Sequence, residues 1–403
     1  MTKRKGILWN TLGSAMYGAN SFLMLALVSR VGTVEDAGYF GIAHTTAQLL
    51  YIVGLLGVNH YQMTDYSEKH PFSSYAKIRL FSCFLMLVCC AGTIAALNFT
   101  GLKRSYTILL TVLMLLNATG ELYQALFFQK NRLDLSGSAL FFRTLWPLAV
   151  FTAVILLRGS IAAALLAQIV CNLLITLYYA LRVAPPFIRK NTACAEAAAF
   201  PAALLWECLP LAVSLFLMNI VINMSKYGIE FRLDDTAQGY YGMIFMPAQV
   251  INLCSQFLFK PYLNQYAVLL EKKQTAAFLR LLGKQLLFIL GLIAACCAGA
   301  WVLGTQVLGF LYGKDLSALR LSLTLVVLGG GIFAMCQLFY YILVILRRQK
   351  GIVLLYISAF VLSIPLSLFM ISAWGILGAV LAFAATHLLI LLGYLVQLRK
   401  AIL

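Results

Sequence analysis

Long uncharged stretches, separated by short clusters of charged residues, constrain this chain more than any other feature. Nine stretches of 18 to 48 residues contain no Asp, Glu, Lys or Arg. A helix needs about 20 apolar residues to cross a bilayer. The last stretch is long enough for two helices that turn near Ser372 to Gly375, and two further apolar stretches, 105–129 and 135–157, carry one charge each. The pattern predicts an all-α polytopic membrane protein with 12 transmembrane helices, and its uncharged stretches are 6–29, 37–64, 80–102, 159–181, 208–225, 236–259, 285–313, 321–346 and 351–398.

The composition excludes several other classes of protein. Of the 403 residues, 62% are hydrophobic and 11% are charged, whereas soluble domains are about 25% charged. Too few polar side chains exist to cover a soluble enzyme, and the chain is too apolar to be disordered. The first apolar stretch follows Lys3 to Lys5 directly and is expected to be a membrane helix rather than a signal peptide. The ten Cys lie mostly in apolar stretches, so we expect small hydrophobic side chains and no metal site or cofactor.

The basic residues predict the orientation of the helices. The chain has 30 Lys and Arg against 13 Asp and Glu, a net charge of +17. If the N-terminus is cytoplasmic, 21 of the 30 fall on the cytoplasmic side and eight on the other. Cytoplasmic loops are enriched in Lys and Arg, so we expect an inner (plasma) membrane protein with both termini cytoplasmic and no nucleic-acid partner. The longer connections would be cytoplasmic, and segment 263–283 is expected to lie on the inner leaflet as an amphipathic helix.

A short internal repeat divides the chain into halves. Residues 38–49 (GYFGIAHTTAQL) and 239–250 (GYYGMIFMPAQV) share five of twelve positions at an offset of 201 residues. Duplicated halves are typical of transporters whose substrate path lies between them. The repeat predicts two six-helix bundles related by a pseudo-twofold axis, at 1–190 and 207–403, joined by a linker at 191–206.

Several motifs resemble one family of transporters. Asn10-Thr11-Leu12-Gly13, Arg30-Val31-Gly32 and Ala37-Gly38-Tyr39-Phe40-Gly41 lie in the first two predicted helices, and Leu126-Phe127-Phe128-Gln129-Lys130 precedes Arg143. Together they resemble the polysaccharide-type lipid flippases of the multidrug/oligosaccharidyl-lipid/polysaccharide exporter superfamily, which include the O-antigen repeat-unit flippases. The resemblance implies two bundles forming a V around a central cavity. It also implies the movement of a polyprenyl-diphosphate-linked oligosaccharide to the outer leaflet, for the synthesis of lipopolysaccharide or another surface polysaccharide.

Polar side chains recur at helical spacing in the first, second, seventh and eighth predicted helices. Polar groups inside a bilayer are costly unless they face protein or a wet cavity, so the stripes either line a hydrated path for sugars or hold helices together. Two charged residues, Glu121 and Arg143, lie inside predicted helices. They either pair with each other or Arg143 contacts a diphosphate. The candidate substrate-binding residues are Arg30, His44, Gln48, Glu121, Arg143, Asn219, Asn223, Lys226, Gln249, Asn252 and Gln256.

Three functions compete at this point. A lipid-linked-oligosaccharide flippase working by alternating access fits the excess of basic groups, with membrane lipids as surroundings and H⁺ or Na⁺ as a possible coupling ion. A multidrug or cation antiporter would need unpaired carboxylates inside the membrane, and only Glu121 is expected to be deep. A membrane glycan polymerase or acyltransferase would need a catalytic cluster. The sequence offers for this only the isolated HxxxxD pattern of His60 and Asp65, so no catalytic residue is expected.

Overall fold

The structure, a computed structural model, describes residues 3–65, 67–188, 200–272 and 274–402, and within these ranges it is all-α. The helices are joined by short turns, with π-helical turns at Tyr179–Val183 and Ala300–Gly304 and single 3₁₀ turns elsewhere. The α-helices are α1 Lys3–Val31, α2 Val34–Leu55, α3 Val58–Thr64, α4 Phe72–Ala96, α5 Gly101–Gln129, α6 Leu133–Arg158, α7 Ile161–Tyr178, α8 Ala202–Arg232, α9 Asp235–Phe259, α10 Leu263–Glu271, α11 Thr275–Gly299, α12 Thr305–Tyr312, α13 Arg320–Ile345 and α14 Gln349–Ile402.

The helices account for twelve membrane crossings. Ten helical segments of the described chain are long and apolar enough to span a bilayer, and α2 with α3 forms an eleventh span that bends by 47°. The segment α14 contains 54 residues and is broken at Gly375, whose φ of 57° and ψ of −131° are not helical. Only glycine adopts this conformation readily. The turn expected near Ser372 to Gly375 is therefore confirmed, and the chain is a multi-pass membrane protein.

The break between α2 and α3 was not predicted. The sequence indicated one helix over 37–64, but Leu56 and Gly57 are both left-handed, with φ of 46° and 69°. Gly57 also lies against α8, where an added Cβ would be 3.0 Å from the Cys208 carbonyl oxygen. The first half of α8 thus packs on this corner, in a core that includes Val58, Leu204 and Cys208.

The chain forms two compact units, residues 1–216 and 217–403. In the N-terminal unit α1 crosses α6 at a distance that only glycine allows. A Cβ on Gly13 would lie 2.7 Å from the Gly137 carbonyl oxygen, and a Cβ on Gly137 would lie 2.3 Å from the Asn10 amide nitrogen. Small residues at such crossings let helices approach closely in a bilayer. The predicted boundaries at 190 and 207 stay a prediction, and most of the predicted linker lies outside the described residues.

In the C-terminal unit α13 is the central helix. Its Gly329, Gly330 and Gly331 contact three different neighbours: an added Cβ would lie within 3 Å of Phe383 in α14, Ala248 in α9 and Ile293 in α11. These contacts show close helix packing at the glycine triplet.

The internal repeat extends beyond the matching letters. Thr33 caps α2 and Asp234 caps α9, each accepting a hydrogen bond from the backbone three residues on, and these two caps are also 201 residues apart. Inside each helix an aromatic pair recurs at the same offset. Phe40 stacks on His44 at 5.7 Å, and Tyr241 lies 5.5 Å from Phe245. The two helices therefore share a start and a packing pair as well as sequence.

Segment 263–283 contains parts of two helices rather than the one helix that the sequence predicted, and its place on the inner leaflet stays a prediction. α10 ends at Glu271, and residues from Thr275 onward begin α11, a helix long enough to span the membrane. Tyr266 and Phe278 are fully buried and their rings lie 5.6 Å apart. These two aromatic side chains thus pack into the core of the C-terminal unit. A linear sequence pattern does not show whether an apolar side chain contacts protein or lipid.

Candidate substrate site in the N-terminal unit

Glu121 and Arg143 form a buried ion pair in the N-terminal unit. The Arg143 Nη2 atom lies 3.4 Å from Glu121 Oε1, and the two side chains are only 4% and 12% exposed. Gln124, one turn along α5 from Glu121, accepts a second hydrogen bond from Arg143 at 3.5 Å. The guanidinium lies directly against Gly120, where a Cβ would be 1.5 Å from Nη1. The sequence left open whether these two charges pair with each other, and the structure brings them together.

Arg79 is a further buried cation that sequence reasoning missed. It was counted with the cytoplasmic loops because the uncharged stretch begins at residue 80. However, α4 begins eight residues earlier, at Phe72 after Pro71, and Arg79 is 2% exposed within it. Its Nη1 donates to the Gly54 carbonyl oxygen, while its Nε and Nη2 have no hydrogen-bond partner in the described structure. If the fourth helix had been predicted to begin directly after Pro71, Arg79 would have been placed on the same helix face as the buried residues Tyr75, Ser82 and Met86.

Two tyrosines connect this charged cluster to the polar stripes of α1 and α2. Tyr17 and Tyr51 hydrogen-bond to each other. Tyr51 also lies within electrostatic range of Glu121, Arg143 and Arg79. One turn further along, Gln48 donates to the Ser21 hydroxyl at 3.2 Å. The stripes of the first two predicted helices therefore face each other, and they lead into the site formed by Arg79, Glu121 and Arg143.

The site carries two guanidinium groups and one carboxylate. In a low-dielectric interior a charge without a partner is expensive, so the two Arg79 nitrogens whose hydrogens have no acceptor, Nε and Nη2, are an unusual feature of this site. They suit an acceptor with several oxygens, such as a phosphate. Tyr17 is 38% exposed although its hydroxyl reaches Tyr51. The arrangement can hold an anionic group beside a row of hydrogen-bonding side chains.

The other two candidate residues of this unit are farther along their helices. His44 is buried and stacks on Phe40, as a packing residue does. Arg30 is exposed in the last turn of α1. The candidate Lys226 does not lie at the end of its helix, because α8 continues to Arg232. Arg30 and Arg232 each lie in the last turn of their helix, and Lys226 lies more than one turn inside α8.

In the C-terminal unit the candidate residues lie on α8 and α9. Lys226 covers the ring of Phe245, with Nζ 4.8 Å from the ring centre. Asn223 donates to the carbonyl oxygen of Asn219 at 2.9 Å. On α9, Gln249 is exposed and Asn252 and Gln256 are half-buried, so this stripe lies on one accessible face. Whether it shares a cavity with the first stripe stays a prediction.

Glu121 is not the only carboxylate inside a span. Glu230, half-buried near the end of α8, has one carboxylate oxygen enclosed by protein. Glu230 lies two residues from the end of α8, so the expectation that Glu121 is the one deep acid stays a prediction.

The HxxxxD pattern does not form a catalytic pair. Asp65 instead holds the turn after α3, accepting from the Tyr75 hydroxyl at 2.7 Å and from the amides of Lys69 and His70 at 2.9 and 3.2 Å. Burial raises the pKa of the Asp65 carboxyl, but these hydrogen bonds outweigh it and hold the pKa below its usual value. A carboxylate held by four donors, Ser67 included, is a structural group.

Comparisons with known proteins agree with this architecture. The family model described as "Polysaccharide biosynthesis protein" matches residues 4–266. The fold is similar to the inward-facing conformation of a multidrug resistance MATE family transporter of the MOP superfamily, with a TM-score of 0.73 and 11% identity over 95% of this chain and 94% of that one. It is also similar to a Vibrio cholerae MATE transporter in the bent form, with a TM-score of 0.58 and 13% identity over 99% and 97% of the two chains.

A third similar structure is a MOP superfamily transporter from Pyrococcus furiosus whose binding pocket is described as having reverse polarity. Its TM-score is 0.52, with 10% identity over 98% of this chain and 94% of that one. No curated protein matches this chain. At these identities the structural likeness shows the fold alone, which is the predicted twelve-helix, two-bundle transporter fold.

Proposed function

We propose that this chain, which belongs to the family of polysaccharide biosynthesis proteins, carries a polyprenyl-diphosphate-linked oligosaccharide from the inner to the outer leaflet by alternating access. The transport takes place in the plasma membrane with both termini in the cytoplasm, and it supplies the synthesis of a surface polysaccharide. The O-antigen of a lipopolysaccharide is one such polymer.

The observation that carries the proposal is the excess of buried positive charge in the N-terminal unit. Arg79 and Arg143 are 2% and 5% exposed, and Glu121 is the one carboxylate in contact with either in the described structure. Intramembrane charges are retained mainly where they act on a substrate or an ion. A diphosphate supplies the acceptor oxygens that the free N–H groups of Arg79 lack. A cationic drug would be repelled by the same two guanidinium groups.

The polar stripes supply the sugar-binding part of the proposal. Sugar hydroxyls are both donors and acceptors, so they match amide and hydroxyl side chains such as Gln48, Ser21 and Tyr17. On α8 and α9 the same role belongs to the amides. The proposed substrate-binding residues are Arg30, His44, Gln48, Glu121, Arg143, Asn219, Asn223, Lys226, Gln249, Asn252 and Gln256, and the structure adds Arg79.

The test is a flipping assay with matched variants. The purified chain is reconstituted in liposomes with a polyprenyl-diphosphate-linked disaccharide, and a membrane-impermeant oxidant reports the sugar exposed outside. Arg143→Gln and Arg79→Gln should each slow flipping by about tenfold or more, because each removes a charge-assisted contact. Arg158→Gln, an exposed arginine at the end of α6, should flip as the unaltered chain does. Equal rates in all four proteins would overturn the cationic-site mechanism.

A cation antiporter is the second candidate, because the solved structures named above include multidrug MATE transporters and because Glu121 and Glu230 lie inside spans. The same liposomes decide between the two candidates. Uptake of a cationic dye driven by a Na⁺ or H⁺ gradient, together with no flipping, would favour the antiporter. Flipping without dye transport would favour the flippase, and its dependence on either gradient would identify the coupling ion.

A further inference from the structure

A basic cavity lies at the end of the C-terminal unit where α13 passes into α14. Its volume is about 640 Å³, and four cations line it: Arg347, Arg348, Lys350 and Lys400. None of the residues lining it is acidic. All four cations are exposed, and none forms an ion pair within the described part of the chain. The cavity therefore concentrates positive charge in a recess formed by two helices rather than along an open loop.

The backbone adds to the preference for an anion. Arg347 is left-handed, with φ of 55°, so the chain reverses there and α14 begins at Gln349. The first N–H groups of a helix have no partner within it and attract anions. The first turn of α14 lines the same cavity as the four cations.

Gln397 supplies a second, independent observation. Its Nε2 donates to the Gly351 carbonyl oxygen at 2.9 Å, which fixes the amide, while its Oε1 is buried and has no hydrogen-bond partner in the described structure. Gly351 leaves room for it, because a Cβ there would be 2.6 Å from that Oε1. A buried acceptor without a donor is costly, and an anion alone cannot satisfy it. A ligand that brings a hydroxyl or ammonium hydrogen as well as negative charge would satisfy it.

An apolar wall completes the cavity. Leu354 and Leu355 lie one turn into α14 on the cavity side, and Leu354 is 66% exposed. An inorganic anion has no use for such a surface, whereas an acyl chain does.

We propose that this cavity is a binding site for an anionic phospholipid with a hydroxyl-bearing headgroup, of the phosphatidylglycerol type. The phosphate lies among the four cations and the first turn of α14, a glycerol hydroxyl donates to Gln397 Oε1, and an acyl chain lies along Leu354. The site is in the C-terminal unit and separate from the cluster of Arg79, Glu121 and Arg143. It is thus a second lipid site in addition to the proposed transport site.

The test titrates the purified full chain in neutral detergent with dioleoyl-phosphatidylglycerol and counts bound lipid by native mass spectrometry. One tightly bound molecule is expected, with dioleoyl-phosphatidylcholine failing to replace it. Lys400→Gln should weaken binding by about tenfold. Arg399→Gln is the matched control, because Arg399 is the exposed neighbouring cation outside the cavity lining. Equal loss in both variants would show that the binding is diffuse surface attraction and would overturn the site.

Two further arms test the chemistry of the ligand. Millimolar inorganic phosphate should not displace the lipid, and displacement would show that the site takes a free phosphate instead. Phosphatidylmethanol keeps the charged phosphodiester but lacks the hydroxyls, so it should bind more weakly than phosphatidylglycerol. Gln397→Leu should abolish that difference. If this variant does not fold, the two lipids compared on the unaltered chain still decide, because equal affinity would exclude the hydrogen bond to Gln397.

Discussion

At the scale of single residues, the pair of Glu121 and Arg143 should matter for folding as well as for transport. Glu121→Ala should lower stability by about 3–5 kcal/mol, because it leaves Arg143 and nearby Arg79 buried without a carboxylate. Changing Arg143 to Ala as well should restore part of that loss. Thermal unfolding in detergent measures both variants, with Glu271→Ala, an exposed carboxylate at the end of α10, as the control. If single and double variants unfold together and only transport falls, the pair has no structural role.

At the scale of helices, packing at α13 should tolerate no extra methyl group at Gly330. The Cβ of an alanine there would lie 2.6 Å from the Cα of Ala248, and backbone cannot move aside as a flexible side chain does. Gly330→Ala should therefore cost about 1–3 kcal/mol and lower the melting temperature. Gly92→Ala in α4 meets nothing within 4 Å, so helix propensity should make that variant as stable as the unaltered chain or slightly more so. Similar melting temperatures for both would show that α9 and α13 are not in close contact.

At the scale of the whole molecule, the orientation in the membrane is open to direct measurement. In a chain without other cysteines, Ser105→Cys at the start of α5 and Arg399→Cys at the end of α14 are both exposed. The charge distribution predicts that a membrane-impermeant maleimide labels the first from outside intact cells and the second only after the cells are opened. The reverse pattern would invert the orientation and the direction of transport proposed above.

Much of the architecture of the whole molecule could be predicted from the sequence. The number of spans, the break at Gly375 and the pairing of Glu121 with Arg143 all follow from charge spacing and the bilayer thickness. The burial of Arg79 does not follow from the sequence, because a cation one residue before an apolar stretch is predicted to lie at the end of a loop. The bend after Leu56 does not either, because an apolar residue in a left-handed conformation leaves no mark in composition. Both depend on packing against other helices, which a linear pattern does not contain.

The bend after Leu56 has a consequence for how the two buried guanidinium groups are held. With the helix interrupted there, the Gly54 carbonyl oxygen accepts from Arg79 and, at 2.6 Å, from the Ser82 hydroxyl. Arg79 is thus held by a peptide dipole, while Arg143 is held by the Glu121 carboxylate. The carboxylate offsets the charge of Arg143, whereas a peptide dipole carries no net charge to offset that of Arg79. Arg79 is therefore the guanidinium whose charge an incoming anion would neutralise.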